Sequence, residues 1–162
     1  MTAAARTDPH KPEPEPDAPV PMGDYAAARL VGDLVFTAGM TPRAGGVMLT
    51  ASVLGAGLDI ADAAELAGVA AGRAVEAGRA VAEAAGRRLE SAVSMTVYLA
   101  AAPGFSEHSR VADGATARLR AVLPGPPPAR AAVGVAGLPS GAPVEVALVL
   151  SSTAVPTGDV VG

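Results

Sequence analysis

Two short apolar runs in the last third of the chain, each holding a single charged residue, restrict the fold most. The first is Pro128-Ala129-Arg130-Ala131-Ala132-Val133-Gly134-Val135-Ala136 and the second is Val144-Glu145-Val146-Ala147-Leu148-Val149-Leu150. A Gly/Pro loop, Gly137–Pro143, separates them. Apolar runs of this length between turn signals read as strands. Alternation puts Arg130 on one face with Ala132 and Gly134, and Glu145 on one face with Ala147 and Val149. If the runs pair antiparallel through the loop, Arg130 and Glu145 come roughly opposite each other. A charge on such a strand is costly unless it is paired or holds a ligand. The arginine fork suits a planar carboxylate, gripped by two parallel hydrogen bonds. The pattern therefore fits a ligand anchor or a structural ion pair between strands, and the residues alone leave both open.

Upstream, the pattern divides into one domain with tails. Residues 1–21 hold six prolines, alternating with acids in Pro12-Glu13-Pro14-Glu15-Pro16-Asp17, and predict an extended, disordered arm. The domain is expected over residues 22–151 and a flexible tail over 152–162. Ala27–Val31 and Leu34–Ala38 predict two strands joined by the hairpin signal Gly32-Asp33. Arg43–Gly46 reads as a turn and Val47–Leu49 as a short third strand. Asp62, with Glu65 three residues on, forms a capping box for a long Ala-rich helix that stops at Gly86. Ala92–Leu99 predicts a strand, and Phe105 to Leu123 a second helix ended by the prolines of 124–128. The order is β-β-β-α-β-α-β-β. Two amphipathic helices and one sheet make a two-layer α/β sandwich.

Composition excludes several chemistries. Cysteine is absent, which removes disulfides and thiol nucleophiles. The two histidines, His10 and His108, are too few for a histidine metal centre without scattered carboxylates. Lys11 is the single lysine and lies in the arm, so no Schiff-base lysine is expected. A net charge of −4 with two Tyr, two Phe and no Trp argues against a nucleic-acid partner, which needs a positive groove and stacking rings. No stretch has the length and apolarity of a membrane span, and the N-terminal residues lack the apolar core of a signal peptide. The expected location is the cytoplasm.

Other candidate constellations are weaker. Glu107, His108, Ser109 and Asp113 supply the residue types of a hydrolase triad, but they sit on one helical stretch without a nucleophile elbow. They read as a solvated helix face. Gly45-Gly46 lacks the lysine and spacing of a phosphate loop. Tyr25 and Phe105 read first as core or interface aromatics.

Taken together, Gly23-Asp24-Tyr25, Gly32-Asp33-Leu34-Val35-Phe36-Thr37-Ala38-Gly39, Pro128-Ala129-Arg130, Leu138-Pro139 and Val144-Glu145-Val146 resemble the RidA/YjgF family, also called the L-PSP endoribonucleases. The resemblance runs from Gly23 to Leu150. Glu107–Ala115 is similar to the Asn-Gly-Ala-Ser-like helix of a less characterised subgroup. The resemblance implies a chorismate-mutase-like (bacillus type) α/β domain that forms a homotrimer with clefts between subunits. It also implies hydrolysis of a 2-enamine or 2-imino acid to a 2-oxo acid and ammonia, without cofactor. In that reading Arg130 grips the substrate carboxylate, Glu145 positions the attacking water, and Tyr25 and Phe105 line the pocket. Where the family carries Ser-Gly-Gln this chain has Ala38-Gly39-Met40. Ala132 stands in place of a cysteine, and Ser109 lies where an asparagine is usual. Met40, Ser109 and Ala132 thus imply a roomier, less polar substrate pocket.

Three functions follow in order: an imine or enamine hydrolase acting on a small carboxylated intermediate, a non-catalytic trimer that binds such a metabolite, and an endoribonuclease. The last is opposed by the acidic charge and the scarcity of aromatics.

Overall fold

Hydrophobic alternation and helical period build one five-stranded sheet with both helices on one side. The computed structural model describes residues 19–156. The main strands are β1 (Ala28–Val31) and β2 (Leu34–Thr37), and two small ribbons follow them: β3 (Arg43–Ala44) with β4 (Val47–Met48), then β5 (Val53–Leu54) with β6 (Gly57–Leu58). After these come α1 (Ile60–Ala84), β7 (Arg87–Ala100), α2 (His108–Val122), β8 (Ala129–Val135) and β9 (Val144–Ala154). The sheet order is β1-β2-β9-β7-β8, with β7 and β8 the parallel pair. This is the expected two-layer α/β architecture, and most of the arm (residues 1–18) and the last six residues of the tail lie outside the described residues.

Local chemistry accounts for the element boundaries. Gly32 takes the left-handed φ of 59° that the two-residue β1–β2 turn requires. The α1 N-cap is Asp59, whose carboxylate accepts from the Asp62 N–H at 2.9 Å, so Asp62 lies in the first turn and is not the cap. Gly86, at φ 68°, ends α1 as its sequence position foretold.

The core lies between the helices and one face of the sheet. Val35, Val97, Leu99, Val144, Val146 and Leu150 are wholly buried there against Ala67, Ala70, Ala71 and Ala74 of α1. Each such aliphatic side chain contributes about 1.5–3 kcal/mol relative to exposure. The alanines bring α1 close to the sheet, and a Cβ at Gly78 would stand 2.5 Å from Leu150 Cδ1. At the α1–α2 crossing a Cβ at Gly114 would collide with the Ala64 carbonyl, so only glycine fits.

The strands depart from the sequence expectation as well, and α2 begins at His108 rather than Phe105. Val47–Met48 does not join the main sheet; it pairs with Arg43–Ala44 across the Gly45-Gly46 turn. Two residues per strand are too few to show a hydrophobic period. β7 starts at Arg87, five residues earlier than expected, and β9 continues to Ala154, past the boundary set at residue 151. Polar residues such as Ser91, Ser151 and Ser152 disguise these extensions; the Ser91 and Ser151 hydroxyls hydrogen-bond across the strands at 2.9 Å. Finally, β8 and β9 do not pair, because β7 lies between them.

The sheet face away from the helices is open. Leu34, Phe36, Val93 and Val133 are each more than a third exposed.

Candidate active site on two faces of the sheet

The strand order separates the two charged residues that stand out in the sequence. Arg130 is level with Met95 of β7, and Glu145 is level with Tyr98. Met95 is 1% exposed and faces the helices, and Arg130 on the same side reaches α2. Glu145 lies between Val144 and Val146, both wholly buried on the helix side, so its side chain projects from the open face. Within one subunit the pair is not opposed; the two side chains leave opposite faces. The antiparallel β8–β9 pairing that would have joined them does not form.

Arg130 is fastened to α2. Its Nη1 donates to Asp113 Oδ1 at 2.8 Å and to Thr116 Oγ1 at 3.0 Å. Its Nη2 donates to Ser109 Oγ at 2.8 Å and to the Ser109 carbonyl at 3.3 Å. The ion-pair partner of Arg130 is therefore Asp113, not Glu145. Ser109, Asp113 and Thr116 follow i, i+4, i+7 spacing, which puts them on one face of the helix. The sequence predicts the Arg130 strand but reads Ser109 and Asp113 as a solvated helix face; both are exposed, and both nonetheless bond Arg130.

Around this clamp, Ala132 is half-buried on the Arg130 face. At Gly134, one pair further on, a Cβ would stand 2.6 Å from His108 Nε2, so the glycine lets α2 approach β8. Phe105 meets the His108 ring edge-on, with centroids 5.2 Å apart at 71°. Ser109 bonds Arg130 directly and Ala132 shares its strand face, whereas Phe105 packs on His108.

Glu145 has a different setting. It forms no hydrogen bond or ion pair among the described residues, and a Cβ at Gly39 would collide with its carboxylate. Gly39 is the feature that sequence reasoning missed: its lack of a side chain makes the space that Glu145 occupies. Burial raises the Glu145 pKa above the ordinary 4.5. A carboxylate with raised pKa and no internal partner is suited to take a proton from water.

Met40 and Tyr25 lie elsewhere. Met40 is 6% exposed, and its backbone pairs both ways with Val146 at 2.9 Å, which buries its side chain in the core of the single subunit. Tyr25 is 53% exposed ahead of β1, and its hydroxyl accepts from the Met22 N–H at 3.4 Å. Among the described residues no three His, Asp or Glu side chains gather as a metal site, and no helix is long and apolar enough to cross a membrane.

Comparison with known proteins agrees with this architecture. The sequence model of the family described as Endoribonuclease L-PSP matches residues 15–151. A RutC family protein, y4sK of Sinorhizobium fredii, is 34% identical over 139 residues, covering 85% of this chain and 94% of its own. A protein of unknown function from Agrobacterium tumefaciens has a TM-score of 0.74 at 26% identity, over 80% of this chain and 82% of that one. RidA from an Antarctic Psychrobacter gives 0.55 at 29%, over 85% and 95%. TdcF of E. coli, solved with bound serine, is alike in fold, with a TM-score of 0.60 at 21% identity over 86% and 96%. The chain belongs to the endoribonuclease L-PSP family, the family of the RidA and YjgF proteins.

Proposed function

We propose that the protein is a RidA-like deaminase that hydrolyses small carboxylated imines or enamines to a 2-oxo acid and ammonia. The observation that carries the reading is Glu145: a half-buried carboxylate of raised pKa, without internal partner, over the space left by Gly39. In the reaction Glu145 takes a proton from water as the oxygen attacks the imine carbon. Glu145 returns that proton to the nitrogen to complete the carbinolamine; in the collapse the hydroxyl proton passes to the amino group, which leaves as ammonia as the carbonyl forms. The imine is already electrophilic, so orientation of water and substrate supplies most of what is needed.

Arg130 anchors the substrate carboxylate in this scheme. Because Arg130 and Glu145 leave opposite faces of one sheet, the working site combines Arg130 of one subunit with Glu145 of another. The open apolar face supports such an assembly: Leu34, Phe36, Val93 and Val133 need a partner, and a closed homotrimer supplies one. TdcF, alike in fold, was solved with serine, a small amino acid carrying the same carboxylate handle. RNA cleavage is opposed by the net charge of −4. A cytoplasmic location accords with this chemistry.

The test generates 2-iminobutyrate with an amino-acid oxidase and follows its decay. The protein should accelerate decay, and Arg130→Ala and Glu145→Gln should abolish the effect. Unchanged decay with the unmodified protein contradicts the proposal.

One observation favours a second reading. Asp113 already fills part of the Arg130 fork, as a bound carboxylate would. A non-catalytic trimer that binds a carboxylated metabolite would show calorimetric binding without turnover, lost in Arg130→Ala.

A further inference from the structure

Two further arginines converge away from Arg130 and Glu145. Arg73 of α1 donates through Nη1 to the Thr41 carbonyl at 2.7 Å. Arg43 of β3 donates through Nε to the Thr41 hydroxyl at 3.2 Å, and through Nη1 to the Gly46 carbonyl at 2.8 Å. Both guanidinium groups are thus gathered on one residue, itself only 9% exposed. Neither has a carboxylate partner among the described residues. Their acceptors are neutral, and Arg43 Nη2 with Arg73 Nε and Nη2 remain unpaired among those residues. Burial lowers the Arg73 pKa, the neighbouring Arg43 charge lowers it further, and nearby Tyr25 opposes both. Two like charges held together in a half-buried place gain from an anion that spans them.

Arg73 lies one helical turn beyond the end of an open groove whose own lining, among the described residues, holds no arginine. A cavity of about 420 Å³ runs along α1, with an apolar wall of Leu49, Leu58, Leu66 and Val69. Val69 and Arg73 are four residues apart on the helix, so Arg73 stands one turn beyond that wall. Asp62 and Glu65 line the cavity on the earlier turns of α1 and make that part negative. The groove is therefore polarised, positive beyond Val69 and negative toward the helix start. Its volume falls within the usual range for small-molecule sites, about 300–1,000 Å³.

The geometry points to a second ligand site, in which Arg43 and Arg73 hold the head of a carboxylate whose apolar body lies along Leu66 and Val69. The acidic side chains fix the orientation, since they repel the head and leave it only the arginine end. This site does not depend on the proposed deaminase chemistry and shares no residue with it beyond the vicinity of Tyr25.

The test titrates the full-length protein with octanoate, acetate and inorganic phosphate, reading heat and thermal midpoint. Octanoate should bind saturably and raise the midpoint, at least tenfold more tightly than acetate or phosphate. Arg73→Gln and Arg43→Gln should each weaken it tenfold or more. Val69→Glu, at an exposed position, places a carboxylate four residues before Arg73; it should raise the midpoint without ligand and abolish octanoate binding. Arg130→Ala should leave octanoate binding unchanged. Equal binding by the unmodified protein and Val69→Glu overturns the proposal. So does phosphate binding as tightly as octanoate, or loss of octanoate binding in Arg130→Ala.

Discussion

Asp113 and Arg130 form an ion pair, Oδ1 to Nη1 at 2.8 Å, that ties α2 to the edge strand β8. The Asp113 side chain is 68% exposed, whereas that of Arg130 is 21% exposed. In the proposed site a substrate carboxylate approaching Arg130 meets a guanidinium already partly neutralised from within. Asp113 then competes for the proposed anchor, while Ser109 and Thr116 also hold the fork.

Asp113→Asn should therefore tighten carboxylate binding. We expect KM to fall several-fold with kcat little changed, while stability changes by about 1 kcal/mol or less, as for other exposed pairs. Steady-state kinetics with denaturant melts check both. A rise in KM would show that the aspartate helps hold the substrate.

Gly39→Ala tests the placement of Glu145. The new methyl would occupy the space of the carboxylate and force it aside. Displacing a catalytic group by about 1 Å costs roughly 100-fold in rate, so kcat should fall by about that much. Circular dichroism and light scattering should show an unchanged assembly. Retained activity would place the working carboxylate elsewhere.

Glu145 also predicts a pH dependence of stability. Burial raises its folded pKa above 4.5, its ordinary value, so between the two values the folded state holds a proton that the unfolded state has lost. Its contribution to stability is then fully present below 4.5 and is lost as pH rises through the folded value. Glu145→Gln removes this dependence. The variant should match the unmodified protein in acid and gain stability relative to it towards neutrality, as urea melts across pH would show. An advantage confined to acid would contradict the assigned shift.

In the proposed trimer the open sheet face is the contact, and single residues there should control assembly. Phe36 is 45% exposed there, level with Val149 of β9. Phe36→Glu puts a charge into a surface that must be desolvated in the trimer. Light scattering should give a trimer for the unmodified protein and a monomer for the variant, with deaminase activity lost together with assembly. An unmodified protein that is monomeric would remove the intersubunit site.

The parts of the fold that were legible in the sequence are those with a period. The Gly32 hairpin, the long run of α1 to Gly86, and the alternation through Val133 and Val149 each carry a local signal. Strand order carries none. Nothing in Pro128–Ala136 or Val144–Leu150 tells that β7 enters between them, since both runs alternate identically whichever neighbour they take. Of the candidate site, Arg130 and Glu145 were legible as lone charges on apolar strands. The helix clamp of Asp113 and Thr116 was not, because a helical face reads as solvated until a strand is placed against it; the partnership of Gly39 with Glu145 likewise appears only once β2 and β9 are adjacent.

In the proposed assembly one working site takes Arg130 from one subunit and Glu145 from another. The most direct measurement mixes the two inactive variants, Arg130→Ala and Glu145→Gln, by refolding them together and assaying imine decay. Each variant alone should be inactive. In an equal random mixture each interface has one chance in four of receiving both native residues, so about a quarter of the unmodified activity should return. Mixed trimers that form and remain as inactive as either parent would rule out an intersubunit site.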